Sequence, residues 1–77
     1  MEQRTKLRAF REVVLGVPRD DIVRNSKTLT LSTYRRAESG FAVKYSTAVE
    51  IVGAFNNILA LQRKSPVTMA DLDINLE

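Results

Sequence analysis

The chain has 77 residues, a formal net charge of +3, 44% apolar side chains, and neither cysteine nor histidine. That apolar content is too high for a disordered tail, no apolar run is long enough to span a bilayer, and Met1 to Lys6 lack the hydrophobic region of a secretory signal. Disulfides and cysteine-ligated zinc are excluded, and the commonest general base and transition-metal ligand is missing, so the expectation is a binding protein with no catalytic residues, metal or cofactor.

All twelve Lys and Arg fall between Arg4 and Lys64, whereas three of the nine acids (Asp71, Asp73 and Glu77) fall in the last seven residues. Residues 1–64 therefore set twelve bases against six acids, a surplus of +6, and the tail carries −3. A basic body attracts polyanions. The expected organisation is one domain over 1–64 followed by an acidic segment, 65–77, able to form a short helix or a dimer contact. A core of this size supplies only ~3–5 kcal/mol, so a partner or ligand matters for stability. The absence of cysteine suits a reducing, cytoplasmic setting.

"TKLRAFREVVLG" predicts the first helix. Leu7, Phe10, Val13 and Val14 recur at helical spacing, Thr5 can cap the start, and Gly16 can end it in a left-handed turn. "PRDDIVRNS" predicts a short second helix. Pro18 suits the first helical position, Asp20 and Asp21 favour the positive end of the helix dipole, and Ile22 and Val23 face the core.

The third helix lies in "TLTLSTYRRAESG", near 31–39, with Thr30 as N-cap and Gly40 as stop. At 100° per residue Thr33, Tyr34 and Ala37 share one side, and Leu31, Ser32, Arg35, Arg36 and Ser39 share the other. Leu29 anchors the entry to the core.

"TAVEIVGAFNNILALQRK", residues 47–64, predicts the longest helix. Thr47 and Glu50 have capping-box spacing. Ala48, Val52, Phe55 and Leu59 form a stripe that Val49, Ile51, Ile58 and Leu61 widen beyond the needs of one small core, so part of it is expected to meet a second chain. Arg63 and Lys64 complement the dipole at its close, and Ser65-Pro66 stops it. Gly53 inside the helix costs ~1 kcal/mol relative to Ala and is expected to admit a close helix neighbour. In "PVTMADLDINLE", Thr68 and Asp71 predict a capped helical turn, while Met69, Leu72, Ile74 and Leu76 also fit an alternating strand.

Two short helices joined by a tight connection, the second opening on small polar residues, make a helix-turn-helix pattern. Here the sequence resembles the lambda-repressor-like (Cro/C1-type, Xre-style) DNA-binding domains. "VPRDDIV" is similar to the family's second helix, with Val17, Ile22 and Val23 in its buried slots. "LTLSTYRRAESG" is similar to the third, with Leu29 and Tyr34 in the buried slots, Glu38 in the acidic slot and Gly40 as terminator. "STAVEIVGAFNNIL" resembles the fourth, and the likeness covers about Lys6 to Leu59. The chain departs from the pattern in its connection, which is one residue longer and has Lys27 and Thr28 where a glycine is customary. It departs again at Val23 and Ala37, where a small alanine and an aromatic are usual.

The resemblance implies an all-α fold, a small bundle of four to five helices. It also implies a sequence-specific double-stranded DNA-binding regulator, a repressor acting as a homodimer. The helix near 31–39 would enter the major groove. Thr30, Leu31, Ser32 and Arg35 would take the base-reading positions: Arg35 on a guanine, Leu31 on a thymine methyl, Ser32 on a base or phosphate. Lys27, Arg36 and Lys44 would meet phosphates, which sets register without reading sequence. In the family an Arg of the first helix often pairs with the Glu ending the third, and Arg11 and Glu38 are the candidates. Each residue also has a plainer explanation: solvated arginines, a capping threonine, a gap-filling leucine and two unpaired surface charges. The alternative function is a protein-interaction module, an adaptor or antitoxin, that uses helix 47–64 or the tail.

Overall fold

The computed structural model describes residues 5–77; the first four residues of the Met1 to Lys6 segment, expected to lack a secretory signal, lie outside them. The described chain is all-α, with five helical stretches around one core and a single backbone bridge in place of any sheet. None of its helices is long and apolar enough to cross a membrane.

Helix α1 (Lys6–Ala9) starts at Thr5, whose hydroxyl oxygen accepts from the Arg8 N–H at 3.1 Å. The helix then widens, without a break, into a π-helical stretch, Phe10–Leu15, and ends at Gly16 in the left-handed region (φ 64°, ψ 33°). The Gly16 N–H closes on the Arg11 carbonyl at 2.8 Å. The inward stripe corrects the expected apolar face. Leu7 and Leu15 are buried, Arg11 is turned inward beside them, and Val13 is left 72% exposed.

Helix α2 spans Arg19–Arg24. Pro18 precedes it as the cap residue, one position earlier than expected, because its extended backbone (ψ 164°) lies outside the helix. Ile22 is buried and Val23 half-buried. Ser26 organises the connection that follows: its Oγ accepts from the Leu29 N–H at 3.2 Å and donates to Glu50 Oε2. That contact pins the connection to the next long helix and seats Leu29 in the core.

Helix α3 (Leu31–Glu38) begins at Thr30, whose hydroxyl oxygen accepts from the Thr33 N–H at 3.2 Å. Ser39 caps its end, and Gly40 follows with φ 93°, a conformation that costs an L side chain strain.

Helix α4 (Tyr45–Leu61) starts two residues before the expected boundary and ends three before it. Lys44 is its cap residue, without a side-chain bond, so Thr47 and Glu50 form no capping box. At the other end Arg63 takes a left-handed backbone (φ 57°), and the Lys64 N–H turns back to the Leu59 carbonyl at 2.9 Å. Ala48, Ile51, Ala54, Phe55, Ile58 and Leu59 fill the centre of the core, whereas Leu61 points away, 81% exposed. Gly53 corrects another expectation. A Cβ added there would meet nothing within 4 Å, so no neighbouring helix uses the missing side chain.

Two side chains beyond α4 satisfy free carbonyls at the end of the π-helical stretch: Gln62 Nε2 donates to the Leu15 carbonyl at 2.9 Å, and Lys64 Nζ donates to that of Val14. Asn56 then holds the returning chain by a two-way clasp with Val67, at 2.8 and 3.1 Å. Helix α5 (Met69–Leu72) has the expected capping box between Thr68 and Asp71. Leu72 is fully buried in the same core as α1 and α4. Beyond it the chain extends, and Leu76 forms a parallel bridge with Val43. Of the two alternatives for this segment the helical turn forms; the alternating strand does not, since Met69 and Leu72 are helical and the extended chain beyond them makes one isolated bridge at Leu76.

Candidate nucleic-acid interface

Helix α3 is strongly two-sided because its sequence alternates polar and apolar residues at helical spacing. Tyr34, Ala37 and Glu38 are buried, Thr33 is half-buried, and Leu31, Ser32, Arg35, Arg36 and Ser39 are exposed. Tyr34 packs on Phe55, ring centroids 6.4 Å apart, and fixes the helix by its apolar side. Thr30 is exposed and already occupied as the cap, its hydroxyl also donating to Thr33 Oγ1 at 2.9 Å.

The buried end of α3 is held by charge. Arg11 donates from Nε to Glu38 Oε2 and from its terminal nitrogen to Oε1 at 3.1 Å, a two-pronged contact. A second guanidinium, Arg19, donates to the same Oε1 at 3.0 Å from the first turn of α2. Arg11 also reaches the Val17 carbonyl at 2.9 Å, and Thr5 donates to the Glu38 carbonyl at 2.7 Å. Glu38 thus ties the start of α1, the π-helical stretch and α2 to the close of α3. Burial alone would push its carboxyl up, but the Arg11 guanidinium, with Tyr34 and Arg19, holds it below the usual carboxylate range. Glu38 in turn raises Arg11 against the opposing effect of burial. The Tyr34 hydroxyl is buried beside this group without a well-formed hydrogen bond. Burial, reinforced by the Glu38 charge, pushes its ionisation far up, so it stays neutral.

Two shallow troughs run along the outer face of α3. One is lined by Arg11, Pro18, Arg19, Asp20, Leu31 and Arg35, the other by Leu31, Ser32, Arg35, Arg36, Ser39 and Phe41. Leu31 and Arg35 belong to both and form the ridge between them. Arg36 is not free in solvent: its guanidinium carbon lies 5.0 Å from the centroid of the Phe41 ring. Comparison with known protein families, curated proteins and solved structures finds no match.

The structure brings Leu31, Ser32, Arg35 and Arg36 onto this one surface, with Thr30 at its leading edge. Lys27 and Lys44 do not line either trough. Lys27 is exposed in the connection before α3 and borders a depression against α4, with Val49, Glu50 and Gly53 among its neighbours. Lys44 is exposed at the cap of α4, and the preceding carbonyl, that of Val43, accepts from the Glu77 N–H at 3.0 Å. An acidic residue therefore shares its edge of the molecule.

Two residues of the surface were not picked out from sequence. Arg19 follows Pro18, a pair whose sequence signal is that of a helix start. Phe41 lies beyond the helix stop, where helical spacing assigns no face. Its signal was an aromatic just after Gly40, five residues from an arginine, where the returning chain lies beside the last turn.

Proposed function

We propose that this protein binds duplex DNA through α3, as a lambda-repressor-like helix-turn-helix domain in which α2, the Ser26 connection and α3 form the motif. The observation that carries this is the ridge of Leu31 and Arg35 between two troughs, one of them lined by Arg35 and Arg36 with no acidic residue, projecting from a helix whose other side is locked into the core. A convex, cationic helix face suits the major groove. Arg35 has the reach and the forked donors to grip guanine O6 and N7, Leu31 can touch a thymine methyl, and Ser32 can bond a base or phosphate. Arg36, Lys27 and Lys44 contribute phosphate contacts, and the uncommitted threonine lone pair at Thr30 serves the leading edge. The paired Arg11 and Glu38 match the resemblance on which this reading also rests. The protein acts as a homodimer on two half-sites and represses transcription by occupying them.

The test is titration onto duplexes recovered by selection from a random pool, at several salt concentrations. A binder making Z phosphate contacts shows log K falling with log salt at a slope of about −0.9Z. Arg35→Ala relaxes preference among the selected duplexes, costing ~1–3 kcal/mol of discrimination at one position, while Lys44→Ala weakens all of them alike. Wild-type binding by both variants removes these site assignments.

A second reading, a protein-interaction module, is favoured by the aliphatic side chains left in solvent, Val13 and Leu61 foremost. It predicts little affinity for duplex DNA at any salt concentration.

A further inference from the structure

The close of α3 places an aromatic ring on one of its arginines. The Gly40 N–H reaches the Ala37 carbonyl at 3.1 Å and the Phe41 N–H reaches that of Arg36 at 3.0 Å. This is a Schellman close, in which the second residue past the cap usually carries an apolar side chain that packs on the last turn. Here that side chain is Phe41 and it meets the Arg36 guanidinium, within cation–π range. Capping alone accounts poorly for the residue: Phe41 stays 56% exposed, leaving most of a large apolar ring in water. Leucine would satisfy the cap at lower cost.

The mode of contact matters. An ion pair with a carboxylate would consume the N–H edges of Arg36 and cancel its charge. A ring carries no formal charge, so the full charge of Arg36 remains available, and a guanidinium has five N–H donors, none of which a ring consumes as a carboxylate would. The contact also restricts a side chain that otherwise loses much rotamer freedom on binding. Among the described residues Arg35, on the ridge, has no ion pair or ring contact of its own, which suits a side chain that must adapt to base edges.

Resting on the DNA-binding reading above, we propose that Phe41 is a positioning residue for Arg36, holding its guanidinium at the edge of the α3 surface in the orientation that meets a backbone phosphate. Phe41 acts through Arg36 and not by touching a base.

The experiment measures binding to a wild-type-selected duplex across salt concentrations for wild type, Phe41→Leu, Arg36→Ala and the double variant. Phe41→Leu keeps an apolar cap contact and is expected to melt as wild type does. Its affinity falls about two- to fivefold, the range of an exposed cation–π contact, and its salt slope becomes shallower by up to about 0.9, one phosphate contact. In the Arg36→Ala background the same change has no further effect. Chemical synthesis with progressively fluorinated phenylalanine at 41, which weakens the ring's negative face at nearly constant shape, lowers affinity stepwise and decides the matter if Phe41→Leu folds poorly. Wild type that binds while Phe41→Leu and the fluorinated series match it overturns the role of Phe41 alone, as does an equal loss in the Arg36→Ala background. Wild type that binds no duplex overturns the DNA reading and this proposal with it.

Discussion

Replacing Glu38 by Gln removes one charge from a carboxylate that holds three elements together. Glu38 accepts from Arg11 twice and from Arg19 once, and its side chain is almost wholly buried. The substitution keeps the shape but leaves the buried Arg11 cation with the Val17 carbonyl as its remaining acceptor outside the amide. Losing one partner of a buried pair costs about 3–5 kcal/mol, because the stranded charge keeps its desolvation penalty. A core this small supplies only ~3–5 kcal/mol in total, so Glu38→Gln should be largely unfolded in plain buffer. It should refold with a protecting osmolyte, which strengthens effective burial. Urea titration followed by circular dichroism in a fixed osmolyte concentration measures the difference. The paired substitution Arg11→Met with Glu38→Leu removes both charges and should recover most of the loss, since exchanging a buried ion pair for apolar side chains is often near neutral. The pH dependence carries the same sign. Because folding lowers the Glu38 pKa, its contribution is complete above the unfolded value of about 4.3 and disappears as pH falls through the lower folded value. Glu38→Gln should therefore flatten the acid limb of the stability profile. A Glu38→Gln midpoint within ~1 kcal/mol of wild type, with an unchanged acid limb, would show that the contact is not the strut proposed from the cost of a stranded buried charge.

Gly53→Ala should stabilise the protein by ~1 kcal/mol in urea titration, since the added methyl meets open space and the helix gains propensity; destabilisation would mean that something packs there. Arg63→Gly should raise stability by about 1 kcal/mol by relieving a left-handed backbone that a side chain disfavours, and a lower midpoint would count against that conformation. Leu72→Ala should cost roughly 2–5 kcal/mol, as for any fully buried leucine. A loss below 1 kcal/mol in the same titration would mean that α5 does not belong to the shared core.

Local features were legible in the sequence because local chemistry decides them. Thr5, Thr30 and Thr68 cap helices because a hydroxyl beside unpaired backbone N–H groups has one favourable use. Gly16 and Gly40 stop helices because they accept positive φ without a clashing Cβ. The outward side of α3, and with it Leu31, Ser32, Arg35 and Arg36, followed from helical spacing alone. Tertiary contacts decided the rest. Arg11 lies one turn on from Leu7 and turns inward with Leu7 and Leu15 while Val13 faces out, because Glu38 offers the guanidinium a buried partner that apolar spacing does not anticipate. Glu50 satisfied Ser26 across the fold instead of capping its own helix, and α4 began at Tyr45. The second guanidinium on Glu38 depends on where the chain returns after Pro18. Spacing along one helix determines which side chains share a face, whereas only the packing of several helices determines which of those side chains finds a partner.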